Sequence, residues 1–306
     1  MLSGALLLGR DISLGDFFKR RFTRIIYPFI LYLIIFVVFL SLLMYGIPSL
    51  HGLESELAKV PFQYNWFFWM ILGIYISIPV INKFIQYSSL KEIEYFVLIL
   101  FIGSIFYQIM FYLKITQYIN LNLFLSPLAY LVLGYYLSVK EFKMSNSKII
   151  TLSLILFILT TVIMILSEDG YLPFNYITAY KITSSNYVAT LVDIGVLELI
   201  RTSCVFLFFK YLFMQKDGIY SYLHKLFENN MVTKFYTSYS RASYGIYLFS
   251  RTLMAPLEIV LAGLSLTGSQ VCLWILVLIV IVNIACWLIV LLINKIPFIG
   301  RFSGYH

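Results

Sequence analysis

The chain has 306 residues, 61% of them hydrophobic and 12% charged, with a mean hydropathy of +0.90 and a formal net charge of +8. Its apolar runs exceed what a globular core buries, which excludes an ordinary soluble domain and points to a polytopic helical membrane protein. Basic loops are routine in such proteins, so the charge does not point to nucleic acid. Cys204, Cys272 and Cys286 fall inside apolar runs with no CxxC pair and no nearby His, so neither a metal nor a disulfide is expected.

The first predicted element is Met1–Leu8, apolar but only about 12 Å long at 1.5 Å per residue. A bilayer core is roughly 30 Å thick, so the segment reads either as the last turns of a membrane helix or as an interfacial flap. Next comes Asp16-Phe-Phe-Lys-Arg-Arg-Phe-Thr-Arg-Ile-Ile-Tyr-Pro-Phe29, in which Lys19, Arg20, Arg21 and Arg24 stand immediately before an uncharged run, Ile25–Ile47. That run is the first of eight predicted spans. The others are Pro61–Ile81, Tyr95–Leu113, Leu121–Val139, Ile149–Leu166, Val188–Met214, Tyr244–Leu264 and Val271–Ile293. Every connection is short, the longest being Glu168–Tyr187 and Gln215–Ser243, so no separate soluble domain fits between spans. Pro28, Pro79, Pro127 and Pro256 lie within or at the ends of spans, where neighbouring helices can satisfy the freed backbone groups.

Orientation follows from the cations. Of the 22 Lys and Arg, 17 fall in one set of loops and three, Lys59, Lys114 and Lys181, in the other. By the positive-inside rule the richer set is cytoplasmic, and with it both ends of the eight-span unit.

Charges inside spans are costly and therefore mark pairs or polar pathways. Asp193, Glu198 and Arg201 share one span, at spacings of three and eight that one helical face can hold. They read either as a structural Glu198–Arg201 pair or as a polar wall whose carboxylate takes a proton from an acceptor hydroxyl. Arg251 and Glu258, seven apart on the next span, form a second such face. Arg20, Arg21 and Arg24 read either as topology determinants or as forks for phosphate.

Several motifs together resemble the membrane-bound acyltransferase family 3, the integral membrane enzymes that O-acylate surface carbohydrates. Ser3-Gly-Ala-Leu-Leu-Leu8 resembles the end of that family's second helix, and Asp16–Pro28 resembles the start of its third, with an intact Arg-x-x-Arg at Arg21 and Arg24 preceded by Arg20. Asn65–Pro79, Leu131–Leu137 and Ser243–Phe249 resemble three later helices in the family's order. The resemblance implies an all-α bundle forming one transmembrane domain over residues 1–306, with its first helix and half of its second lacking. It implies acyl-CoA, most simply acetyl-CoA, as cytosolic donor and a cell-surface glycan hydroxyl as acceptor, in the plasma (inner) membrane. Arg20, Arg21 and Arg24 would then be the donor site, with Asp193, Arg201, Arg251 and Glu258 beside the substrate path. The family's histidines have no counterpart, since His51, His224 and His306 lie in loops or the tail and Ser250 stands at the late histidine position. Glu198 is the carboxylate left as the catalytic candidate. The competing class is a transporter, or a polysaccharide export or polymerisation protein, which would carry the same intramembrane charges along a substrate pathway but has no use for the Arg20–Arg24 motif.

Overall fold

The computed structural model describes residues 1–11, 13–45, 66–112, 127–168, 196–215, 220–262 and 268–305. Among them every regular element is helical. In chain order these are α1 (Leu2–Leu7), α2 (Leu14–Tyr45), α3 (Trp66–Tyr87), α4 (Leu90–Tyr112), α5 (Pro127–Val139), α6 (Asn146–Glu168), α7 (Val196–Met214), α8 (Tyr220–Glu228), α9 (Asn230–Ala262) and α10 (Gly268–Asn294), then a 3-10 turn, Gly300–Phe302.

The described part of each predicted span falls on one of these helices. Among the described residues, four stretches are long and apolar enough to cross a membrane: Leu14–Phe39, Phe67–Tyr87, Asn146–Leu166 and Leu273–Asn294. The described part of the Leu121–Val139 run is a shorter apolar helix, Pro127–Val139. It opens on proline, whose missing N–H costs nothing in a first turn.

Several helix boundaries depart from the hydropathy runs, and caps explain why. Helix α2 begins at Leu14, well before Ile25, with the Asp16 amide donating to Ser13 Oγ at 3.3 Å. A capping box opens α4: the Ser89 amide donates to Glu92 Oε2 (2.6 Å) and the Glu92 amide to Ser89 Oγ (3.4 Å). The Gln215–Ser243 connection is largely helical, holding α8 and the first turns of α9. Asn229 caps α9, its Oδ1 accepting from the Met231 amide at 2.9 Å. Hydropathy detects only helix at membrane depth; hydrogen bonds and caps carry the helix beyond it.

The chain forms two compact units. The first comprises residues 1–11 and 76–226. Within it α1 packs on α5 through glycines: a Cβ on Gly4 would lie 1.8 Å from the Leu131 carbonyl oxygen, and one on Gly134 would lie 2.1 Å from that of Met1. Close backbone approach of this kind is how helices pack where lipid removes the hydrophobic drive. Asn82, buried, pins the chain after α1 by accepting from the Gly9 amide and donating to the Arg10 carbonyl, both at 2.7 Å. Helices α6 and α7 pack around Ile149, Ile150 and Tyr211. Lys210 on α7 donates to the carbonyls of Leu137, Ser138 and Lys140 (2.8–3.0 Å), so one ammonium satisfies the end of α5.

The second unit comprises residues 12–75 and 227–306. Its core is aromatic, with Phe29 stacked on Phe68 at 3.6 Å between ring centres and Tyr32 set between Phe36 and Phe249. Helix α9 lies against α2 and α10.

Candidate functional site

The cation block lies in the second unit, wholly on helix. Arg20 and Arg24, four residues apart, share one face of α2, and both are exposed. Arg21 is half-buried, its guanidinium 5.9 Å from the centre of the Tyr75 ring, an arrangement that gives cation–π attraction. Thr23 turns its hydroxyl back on the Lys19 carbonyl at 2.6 Å, so it adds no donor to the exposed face.

The backbone below this block is unusual. Pro28, buried inside α2, has no N–H for the helical bond to residue 24. Beside it, Tyr244 of α9 donates its hydroxyl to the Ile25 carbonyl at 3.1 Å. The motif Ser243–Phe249 thus meets the arginine motif through a main-chain bond, which no spacing in the sequence displays.

The C-terminal turn joins the same region. Ser303 and Gly304 are buried, and a Cβ on Gly245 would lie 2.5 Å from the Ser303 carbonyl oxygen and 2.6 Å from Val290 Cγ2. Gly304, at φ 78, is the kind of position where a side chain would strain the backbone. The Phe302 ring sits 5.3 Å from that of Tyr27, three residues past Arg24, which sets Arg301 at the same end of the unit. Sequence reasoning missed this convergence. Its only trace was the pair Gly300 and Gly304 bracketing Arg-Phe-Ser.

The other expected positions are scattered. Glu198 and Arg201 on α7, in the first unit, form a bidentate ion pair: Arg201 Nε donates to Glu198 Oε2 at 3.2 Å, and Nη2 to Oε1. The pairing that their spacing allowed is thus present in the structure. Ser250 donates to the Tyr247 carbonyl at 2.8 Å, so its proton is engaged. Arg251 is half-buried on α9. Asp193, His51, His306 and the side chains of Glu258, His224 and Trp66 lie outside the described residues.

A second polar cluster, in the first unit, lies just outside a predicted span. Lys140 pairs with Glu94, whose Oε1 also accepts from the Tyr136 hydroxyl at 3.0 Å. Hydrogen bonds, first from Lys140 and then from Tyr136, hold the Glu94 carboxyl below its ordinary value, and the bond to Glu94 raises the Lys140 ammonium. Among the described residues no three His, Cys, Asp or Glu side chains gather as a metal site would require.

A family model described as an acyltransferase domain matches residues 1–292. No curated protein and no solved structure matches the chain.

Proposed function

Since the chain belongs to acyltransferase family 3, a family of membrane acyltransferases, we propose that it moves an acyl group, most simply acetyl, from cytosolic acyl-CoA to a hydroxyl of a cell-surface glycan. The observation that carries this reading is the exposed Arg20–Arg24 face of α2, which runs directly into the uncharged residues from Ile25 onward. Arginine forks on one face suit the phosphates of a CoA donor, and a helix entering the bilayer there holds them at the membrane surface. Arg21, half-buried against Tyr75, supports the face from behind.

The topology proposed with this function has eight spans in the plasma membrane with both ends cytoplasmic, an orientation that the cation asymmetry supports. The acyl group then has to cross to an outer acceptor, and polar residues within spans, Arg201, Arg251, Asp193 and Glu258 among them, are proposed to flank that path. Glu198 is proposed as the carboxylate that takes the acceptor's proton. Both of its oxygens accept from Arg201, so the pair has to open before a carboxylate oxygen can reach the acceptor hydroxyl.

Binding of acetyl-CoA to the full chain in nanodiscs tests the donor half. Loss of a charge-assisted contact to phosphate is expected to weaken binding about tenfold or more in Arg24→Ala. Unchanged affinity in the triple Ala variant at Arg20, Arg21 and Arg24 would leave them as topology signals. Turnover of labelled acetyl-CoA tests the base: Glu198→Gln should lose about 100-fold or more in transfer with donor affinity intact.

A further inference from the structure

A groove opens at the end of α10, and we propose that it is a second phosphate subsite for the donor's nucleotide, built from Lys295 and Arg301. The groove holds about 450 Å³ and is lined by residues 294–298, 300 and 301. Two of these are cations and none is a carboxylate. It lies past residue 292, beyond the residues that the family model matches, so the family match assigns it nothing.

Three observations turn a basic surface into a built site. The first is rigidity. Gly300 is bound by its amide to the Ile296 carbonyl (2.9 Å), and Ser303 and Gly304 are wedged against Gly245, so Arg301 is carried on an anchored turn. The second is continuity with the α2 arginines. The Arg301 guanidinium lies 5.1 Å from the Phe302 ring centre, Phe302 lies 5.3 Å from Tyr27, and Tyr27 is one turn from Arg24. The third is Phe298, 89% exposed at the groove's edge and held at φ 66. A non-glycine residue in that region is strained, and such strain gathers at ligand sites. An exposed ring beside two cations offers a stacking face for a nucleobase and forks for its phosphates.

A nucleotide with phosphates at two separate positions can bridge the two cation clusters, which a lone phosphate cannot. Coenzyme A has that chemistry, with a diphosphate at one position of its ribose and a phosphate monoester at another. This inference rests on the donor reading above, and anionic lipid headgroups share the phosphate chemistry, so the experiment separates all three.

The full chain is placed in phosphatidylcholine nanodiscs and titrated with CoA, with dephospho-CoA and with adenosine 3′,5′-bisphosphate. Arg301→Ala is expected to weaken CoA about tenfold. Arg301→Lys should recover part of the loss, because it keeps the charge without the fork. Lys295→Ala should weaken CoA severalfold, and Phe298→Ala should weaken adenosine 3′,5′-bisphosphate as well as CoA. Arg24→Ala serves as the comparison. CoA binding that falls with Arg24→Ala but is unchanged in both Arg301→Ala and Lys295→Ala overturns the subsite and leaves the donor reading standing. No CoA binding by the unmodified chain overturns both. A parallel titration with phosphatidylglycerol reads the lipid arm: an effect of Arg301→Ala seen only as lost affinity for that lipid assigns the groove to lipid and also overturns the proposal.

Discussion

Glu198 and Arg201 show what a single pair can be asked to do in an apolar helix. Their side chains are 18% and 31% exposed, and two Arg201 nitrogens donate to the two Glu198 oxygens. Removing one member of a fully buried pair costs about 3–5 kcal/mol because the other charge is left uncompensated. Discounted for this partial exposure, Glu198→Gln should cost about 1–2 kcal/mol of stability in detergent, read from the unfolding midpoint. The exchange Glu198→Arg with Arg201→Glu should recover most of that loss. If it recovers stability but not acyl transfer, Glu198 has a chemical role beyond the pair. Spacing alone allowed these residues to meet; only the described side chains display both Arg201 nitrogens on the two oxygens.

Elements here are ended and joined by polar groups that hydropathy cannot register. Asn229 is an N-cap, and Asn229→Ala should cost about 1 kcal/mol, visible as a lowered midpoint in thermal unfolding. The C-terminal turn is held by the absence of a side chain at Gly245. Gly245→Ala should displace it, since the added methyl would meet the Ser303 main chain. Trypsin should then cleave after Arg301 about tenfold faster than in the unmodified protein, and an unchanged rate would mean the turn adapts in place. The α4–α5 pair is tied by Glu94 and Lys140. A carboxyl lowered from 4.5 adds stability that is present above that value and lost as pH falls through its lowered one. An ammonium raised from 10.5 adds stability that is present below that value and lost as pH rises through its raised one. The midpoint difference between the protein and Glu94→Gln should therefore hold steady from about pH 6 to 9 and shrink as pH falls through the lowered range of the Glu94 carboxyl.

At the scale of the whole molecule, membrane character was legible from composition. Runs of uncharged residues and the 17 to 3 division of cations need no tertiary contact to be read. Single engineered cysteines tested with membrane-impermeant reagent check the resulting topology. Positions in the 168–187 connection should label from outside, and those in 215–243 only after the membrane is opened. Labelling of both from one side would break the eight-span reading. The membrane-length helices, the Arg20–Arg24 face and the family resemblance were likewise legible, because helix periodicity and collinear motifs are local properties of a chain. Tertiary structure decided what is not local: the Tyr244 bond to the Ile25 carbonyl, the glycine contacts of α1 with α5, the Lys210 cap on another helix, and the seating of the Phe302 ring beside that of Tyr27. Each joins residues tens to hundreds of positions apart, through backbone groups, missing side chains or a contact between rings. Composition and spacing carry no record of those, since which carbonyl a hydroxyl reaches depends on how helices pack.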